Sequence, residues 1–118
     1  MLPLKRSSEY KARVRSYATE LAEQYRPEIA DVFLANVKAA EGRIRDANQI
    51  GTDAPYVLAG QNMILKESYF NSGPARYCLI YEVLDDCVGL ISLWHGMGSR
   101  DTGTLTRIWK RRKSRMGY

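Results

Sequence analysis

The residues best suited to chemistry are a histidine, an arginine and a lysine on predicted strands. His95 is the chain's one histidine, and imidazole exchanges a proton readily near neutral pH. Arg76 and Lys66 are cations of the kind that stabilise charge developing on a phosphate. Together they could form a minimal catalytic site for cleaving RNA through its 2′-hydroxyl, with His95 as acid or base.

Each of these residues also has a structural explanation. Arg76 could pair with Glu82 or face solvent, and His95 could cap the sheet edge by hydrogen-bonding the following turn. Tyr77 and Tyr81 could stack on bases or donate protons, but we expect them in the core. Residues 1–100 carry no net charge, whereas affinity for RNA depends on neutralising its phosphates. A nuclease is therefore one of several hypotheses.

Two amphipathic helices precede the strands. Apolar residues recur at helical spacing over residues 8–24, after the candidate N-caps Ser7 and Ser8. Arg26-Pro27 breaks the pattern, and Pro27 suits the first turn of a second helix over residues 27–47. The predicted buried stripes are Tyr10, Val14, Tyr17, Leu21 and Tyr25 in the first helix, and Ile29, Phe33, Val37, Ala40 and Ile44 in the second.

The rest of the body switches to strand patterns. Residues 2–5 are a candidate edge strand, and residues 48–60 are predicted to be a loop because they contain Gly51, Asp53, Pro55 and Gly60. Residues 63–70, 76–84 and 87–95 are rich in β-branched, aliphatic and aromatic side chains. We therefore predict an α+β fold in which a helical hairpin packs on a small antiparallel β-sheet of three to four strands.

The acidic pair Asp85-Asp86 predicts a two-residue hairpin loop. Unbroken pairing from that loop places Arg76 directly opposite His95 on one face, with Cβ atoms about 5 Å apart. The other face, expected under the helices, then contains Tyr77, Leu79, Tyr81, Val83, Val88, Leu90, Ser92 and Trp94.

Composition limits the classes of protein and of site. The chain is 45% apolar and 26% charged, which is typical of one soluble globular domain. Two cysteines and one histidine make neither a disulfide framework nor a four-ligand zinc site. We expect Cys78 and Cys87 to be structural thiols, with no metal and no cofactor. No apolar run reaches the roughly 18 residues of a membrane span, so we predict a cytoplasmic protein with no membrane partner.

Positive charge is concentrated at the C-terminus. Residues 101–118 contain six basic residues and one acidic residue, so we divide the chain into a domain over 1–100 and a basic C-terminal extension over 101–118. Leu105, Ile108 and Trp109 could form part of a short helix there. The segment is either a solvated end or a binding site for nucleic acid or an acidic protein segment; its candidate partner-binding residues are Trp109, Lys110, Arg111, Arg112, Lys113 and Arg115.

Local motifs in the body resemble the RelE/ParE superfamily of bacterial toxins. Residues 74–83, PARYCLIYEV, are similar to the glycine-Arg-Tyr-x-Ile-x-Tyr-x-Val strand of those proteins, and residues 93–96, LWHG, are similar to the end of their last strand. The acidic turn Asp85-Asp86, and residues 26–30 followed by Phe33, are similar too. Ala75 stands where a glycine is usual, and the extension after Gly96 is longer than most members carry.

The resemblance implies the toxin of a type II toxin–antitoxin pair, neutralised by a cognate antitoxin that wraps a largely disordered segment around it. ParE-like members act on DNA gyrase without recognised catalytic residues. RelE-like members cut messenger RNA on the ribosome, and an inactive relative serving only as a binding module is a third alternative. We place the gyrase-directed subgroup slightly ahead of the nuclease because the body is uncharged overall.

Overall fold

The computed structural model describes residues 1–58 and 60–96, which form two helices packed on one face of a five-stranded sheet. Along the chain the elements are β1 (Leu4–Arg6), α1 (Ser8–Gln24), α2 (Pro27–Asp46), β2 (Thr52–Leu58), β3 (Gln61–Ser72), β4 (Ala75–Val83) and β5 (Val88–His95). The predicted α+β class and helical hairpin are confirmed.

Local chemistry sets the helix ends. The Ser7 hydroxyl accepts a hydrogen bond from the backbone N–H of Tyr10 at 3.0 Å, which satisfies one unpaired donor of the first turn. The same hydroxyl donates to the carbonyl of Ile91 at 2.7 Å and so ties the start of α1 to β5. α2 begins at Pro27 as predicted, because proline has no N–H to leave unpaired there.

The sheet differs from the prediction in size and direction. Its strand order is β1-β5-β4-β3-β2, and β1 runs parallel to β5. The prediction of three to four antiparallel strands is therefore wrong, since the sheet has five strands and is mixed. A parallel pair needs a long crossover connection, which the helical hairpin and the strands that follow it supply.

The strand that the sequence did not predict is β2, which lies within the expected loop at residues 48–60. Pro55 argued against a strand, but β2 is at the edge of the sheet and pairs with β3 on one side only. Proline is tolerated at such an edge because a neighbouring strand does not require its missing N–H.

The β4–β5 hairpin begins in the predicted register and then shifts by one residue. Val83 pairs with Val88 and Tyr81 with Leu90, but Ile80 pairs with Ser92 because of an irregularity after Tyr81. The extra residue, Ile91, makes this a β-bulge, which turns every later side chain of β5 to the opposite face.

We call the face under the helices the helix face and the other the outer face. The helix-face core includes Tyr10, Phe33, Tyr77, Leu79 and Leu93. The predicted burial of Tyr77 and Tyr81 is confirmed. A second cluster on the outer face contains Tyr56, Leu65, Cys78, Ile80 and Ile91, with Tyr69 and Trp94 packed against it. Because of the bulge, the predicted placement of Ser92 and Trp94 under the helices is wrong.

At the end of the hairpin where α1 begins and α2 ends, polar groups are tightly paired. The buried carboxylate of Glu41 accepts hydrogen bonds from Tyr10 Oη at 2.6 Å and from Arg6 Nη2 at 2.6 Å. Beyond α2, Tyr81 Oη donates to the carbonyl of Asn48 at 2.8 Å and accepts from the N–H of Gly51 at 2.9 Å. A Cβ at Gly51 would lie 2.6 Å from that oxygen, so the close approach requires glycine.

Candidate functional site

Arg76 and His95 lie on opposite faces of the sheet. His95 pairs with Tyr77, not with Arg76, and its ring contacts the ring of Tyr77 edge-on at a centroid distance of 5.2 Å. The Arg76 guanidinium lies 4.9 Å from the centre of the Tyr69 ring on the outer face. The predicted juxtaposition of Arg76 and His95 is therefore wrong, and the bulge at Ile91 is the physical reason.

Lys66 is on the helix face but far from His95. It pairs with Tyr81, which is four residues along β4 from the partner of His95, a distance of about 13 Å along the strand direction. β3 and β5 also lie on opposite sides of β4, which adds about 10 Å across the sheet. Lys66 Nζ forms an ion pair with Asp53 at 2.7 Å. The structure thus brings none of the three predicted catalytic residues together.

The helix face instead has a cleft of about 480 Å³ at the end of the hairpin where α1 meets α2. We call it the turn-end cleft. It is lined mainly by apolar and aromatic side chains from both helices, the β3–β4 turn and the end of β5: Tyr17, Glu20, Leu21, Gln24, Tyr25, Ile29, Val32, Ser72, Gly73, Pro74, Ala75, Tyr77 and His95. A concavity of this size and polarity suits an apolar ligand or side chain.

Hydrogen bonds and ring contacts centred on Tyr17 hold the wall of the turn-end cleft. Tyr17 Oη accepts from the backbone N–H of His95 at 3.1 Å and from Arg13 Nη1 at 3.3 Å. The Tyr17 ring packs edge-on against Tyr77 at 5.6 Å and Phe33 at 6.3 Å. Burial, followed by the proximity of Tyr17 and Glu20, raises the pKa of the Tyr77 phenol. Tyr77 forms part of the cleft wall, because it is buried and its ring packs against those of Tyr17, Phe33 and His95.

The rim of the turn-end cleft exposes large apolar side chains. Tyr25 is 66% exposed, Val32 53% and Ile29 36%. The sequence placed Tyr25 and Ile29 in the buried stripes of the two helices, and that assignment is wrong at this end. Helical spacing puts both residues on the expected side, but the stripe continues past the edge of the sheet that would cover it. Val32 falls outside the predicted stripe. An apolar side chain outside that stripe was the feature of the sequence that could have indicated an exposed apolar surface here.

Charge is unevenly distributed along the hairpin. Residues 1–15 contain five basic residues and one acidic residue, whereas residues 16–34 contain one basic residue, Arg26, and four acidic residues. Of the acidic residues, Glu20 lines the turn-end cleft, and Glu23 and Glu28 are exposed on adjacent turns. The cleft is therefore in the acidic part of the hairpin.

A separate polar cluster lies on the outer face. The Glu67 carboxylate accepts hydrogen bonds from the hydroxyls of Tyr56 and Tyr69, the latter at 3.0 Å. Burial, together with the hydrogen bond to Glu67, raises the pKa of Tyr69 to about 12. Arg76 packs on the same tyrosine ring. A carboxylate, two phenols and a guanidinium are thus neighbours here. The contribution of Tyr56 could not be predicted, because it lies on β2, which was expected to be a loop.

The remaining site expectations concern metal, thiols and the C-terminal extension. Within residues 1–58 and 60–96, no three His, Cys, Asp or Glu side chains are grouped to hold a metal ion. Cys78 and Cys87 are both buried thiols, as predicted. The proposed partner-binding residues lie outside the described part of the chain: Trp109, Lys110, Arg111, Arg112, Lys113 and Arg115.

Neither described helix is long and apolar enough to cross a membrane. No protein-family model and no curated protein matches the sequence. The resemblance to RelE/ParE toxins therefore depends on the residue motifs alone.

Proposed function

We propose that this chain is the toxin of a bacterial type II toxin–antitoxin pair, acts in the cytoplasm and is neutralised by a cognate antitoxin. Within the RelE/ParE superfamily, the ParE-like mode directed at DNA gyrase fits best. One observation supports this choice over a nuclease: Arg76, His95 and Lys66 do not converge on a common point. Proton transfer and charge stabilisation on one phosphate require groups within about 3 Å of the reacting atoms.

The turn-end cleft supports a mode of action through protein binding. Its lining is largely apolar, and the rim residues Tyr25, Ile29 and Val32 are exposed. A preformed apolar groove with exposed apolar side chains at its rim suits the side chains of a bound protein segment. A gyrase-directed toxin needs two such encounters, one with its target and one with its antitoxin.

The direct test is brief induction in bacteria while incorporation of labelled thymidine and labelled amino acids is followed. We expect thymidine incorporation to fall first, because gyrase inhibition blocks replication before translation. An earlier fall in amino-acid incorporation would overturn the gyrase assignment. Growth that continues normally with both labels would indicate the inactive binding module.

Among variants of the predicted catalytic residues, Arg76→Ala separates the gyrase-directed mode from any nuclease that uses Arg76, and His95→Ala separates it from a nuclease that uses His95. In a gyrase-directed toxin, His95→Ala and Arg76→Ala should each leave toxicity within about threefold, because neither side chain takes part in chemistry. In a nuclease, loss of a catalytic acid–base or cation costs about 100-fold or more. Cleavage of messenger RNA on purified ribosomes, measured with the same proteins, gives an independent readout.

The second candidate is a RelE-like, ribosome-dependent endoribonuclease that uses the outer face. What favours it is the grouping of Glu67, Tyr69 and Arg76. Glu67 would take the proton of the 2′-hydroxyl as its oxygen bonds to phosphorus, and Tyr69 would give its proton to the 5′-oxygen as the bond from phosphorus to that oxygen breaks. Arg76 would stabilise the charge on the phosphate. On this alternative Glu67→Gln abolishes messenger RNA cleavage while His95→Ala does not.

A further inference from the structure

We propose that the turn-end cleft binds a peptide segment with apolar anchors flanked by basic side chains, supplied by a partner protein. The inference rests on the proposed function only for the identity of that protein, which in a toxin would be the antitoxin. The chemistry of the segment follows from the cleft itself.

The apolar part of the assignment follows from shape and exposure. The cleft has a volume of about 480 Å³, and Val32 and Tyr25 are more than half exposed at its rim. A helical or extended segment that buries a few large side chains in a preformed groove needs such a floor and rim. Because Tyr17 is fixed by Arg13 and the His95 backbone, little ordering of the cleft wall accompanies binding.

The basic part of the assignment follows from charge. Glu20 lines the cleft, and residues 16–34 around it carry a net charge of −3. Among the described residues, 1–58 and 60–96, no lysine or arginine lines it. Opposite charge at the rim of an apolar site increases the association rate and selects the partner. A segment with Lys or Arg beside its anchors therefore fits, whereas an acidic segment is repelled.

The other side of the hairpin provides an internal contrast. There a shallower groove between α1 and α2 is lined by Lys11, Arg15 and Leu34, and Leu34 is 42% exposed. An acidic segment would be drawn to that basic groove. Leu34 is two residues from Val32 on the same helix and similarly exposed, so it offers a matched control.

The experiment is selection of a displayed library of random linear peptides against the full-length protein, followed by affinity measurement with synthetic copies of the enriched peptides. We expect the enriched set to combine aliphatic or aromatic residues with net positive charge. Val32→Asp should weaken their binding about tenfold or more, and Glu20→Lys should weaken it severalfold with a reduced dependence on salt. Leu34→Asp should leave it unchanged. Unaltered circular dichroism and Tm confirm that each variant is folded.

Several results would overturn the inference. Enriched peptides that are acidic, or whose binding responds to Leu34→Asp and not to Val32→Asp, would place the docking surface in the basic groove. Self-association of the protein that is lost in Val32→Asp would assign the cleft to a second copy of the chain. Failure to enrich any peptide would exclude a linear segment as the ligand. None of these results depends on whether induction of the protein stops bacterial growth. The peptide experiment therefore tests the cleft, and the induction experiment tests the proposed function independently.

Discussion

The two ends of the helical hairpin differ in which side chains they bury and which they expose. Where α1 begins and α2 ends, Glu41 is buried and fully engaged by Arg6 and Tyr10. At the turn between the helices, Tyr25 and Val32 are apolar, exposed and arranged around the turn-end cleft. One end satisfies buried polar groups, and the other leaves apolar groups in water.

This difference separates stability from binding. A buried carboxylate with three hydrogen bonds specifies how β1, α1 and α2 meet. Removing it leaves its partners without an acceptor, which lowers the free energy of unfolding. Exposed apolar side chains add little to the folded state, so their placement makes sense as a surface for a partner. We therefore expect substitutions at the paired end to change the free energy of unfolding, and substitutions at the turn-end cleft to change affinity.

The largest effect on stability is expected from Glu41→Ala. Removing the carboxylate leaves Tyr10 Oη buried without its acceptor and Arg6 without its ion pair. Breaking a buried pair costs about 3–5 kcal/mol, and the partial exposure of Arg6 reduces this to about 2–3 kcal/mol. Chemical denaturation measures the change. A loss below about 0.5 kcal/mol would show that the paired end does not hold the fold.

A smaller effect, with a distinct pH signature, is expected from Tyr10→Phe. Loss of one buried hydrogen bond costs about 1–2 kcal/mol at neutral pH. Burial and the neighbouring Glu41 carboxylate raise the pKa of Tyr10 above its ordinary value of 10.0. Above pH 10 the unfolded chain therefore loses this proton while the folded chain keeps it, and stability falls with pH by up to about 1.4 kcal/mol per unit from this group.

The Tyr10→Phe variant should lose less of its free energy of unfolding per pH unit above pH 10 than the unmodified protein does. Denaturation at several pH values above 10 measures this slope. Ser7→Ala is the matched control, because it removes the N-cap bond from Tyr10 and the buried bond to Ile91 at the same end, for about 1–3 kcal/mol, without removing a titrating group. If the free energy of unfolding falls equally steeply with pH in the two variants above pH 10, then Tyr10 is not held protonated by its burial beside Glu41.

How far the sequence predicts this molecule depends on which element is considered. Both helices follow from apolar spacing, Ser7 and Pro27, and the β4–β5 turn follows from the acidic pair at 85–86. β2 could not be predicted, because its Pro55 is acceptable only at a sheet edge, and edge position is a property of the whole topology.

The candidate site was less predictable than the fold, for one local reason. A single extra residue, Ile91, moved His95 from the face of Arg76 to the face of Tyr77. The signal in the sequence was Ser92, a small polar residue that unbroken alternation would have placed beneath the helices while Leu93 pointed away. Proximity in a hairpin depends on every residue between the turn and the site, so one bulge changes all the contacts beyond it.

The smallest effect on stability is expected at the rim of the turn-end cleft. Val32 is 53% exposed, so Val32→Asp removes few packed contacts and should change the free energy of unfolding by no more than about 0.5 kcal/mol. Leu34→Asp should behave alike, because Leu34 is 42% exposed on the same helix. Denaturation of the two variants beside Glu41→Ala gives the comparison directly. A loss of about 2 kcal/mol for Val32→Asp alone would mean that the cleft is part of the core, and would remove the reason for treating its apolar rim as a surface kept for a partner.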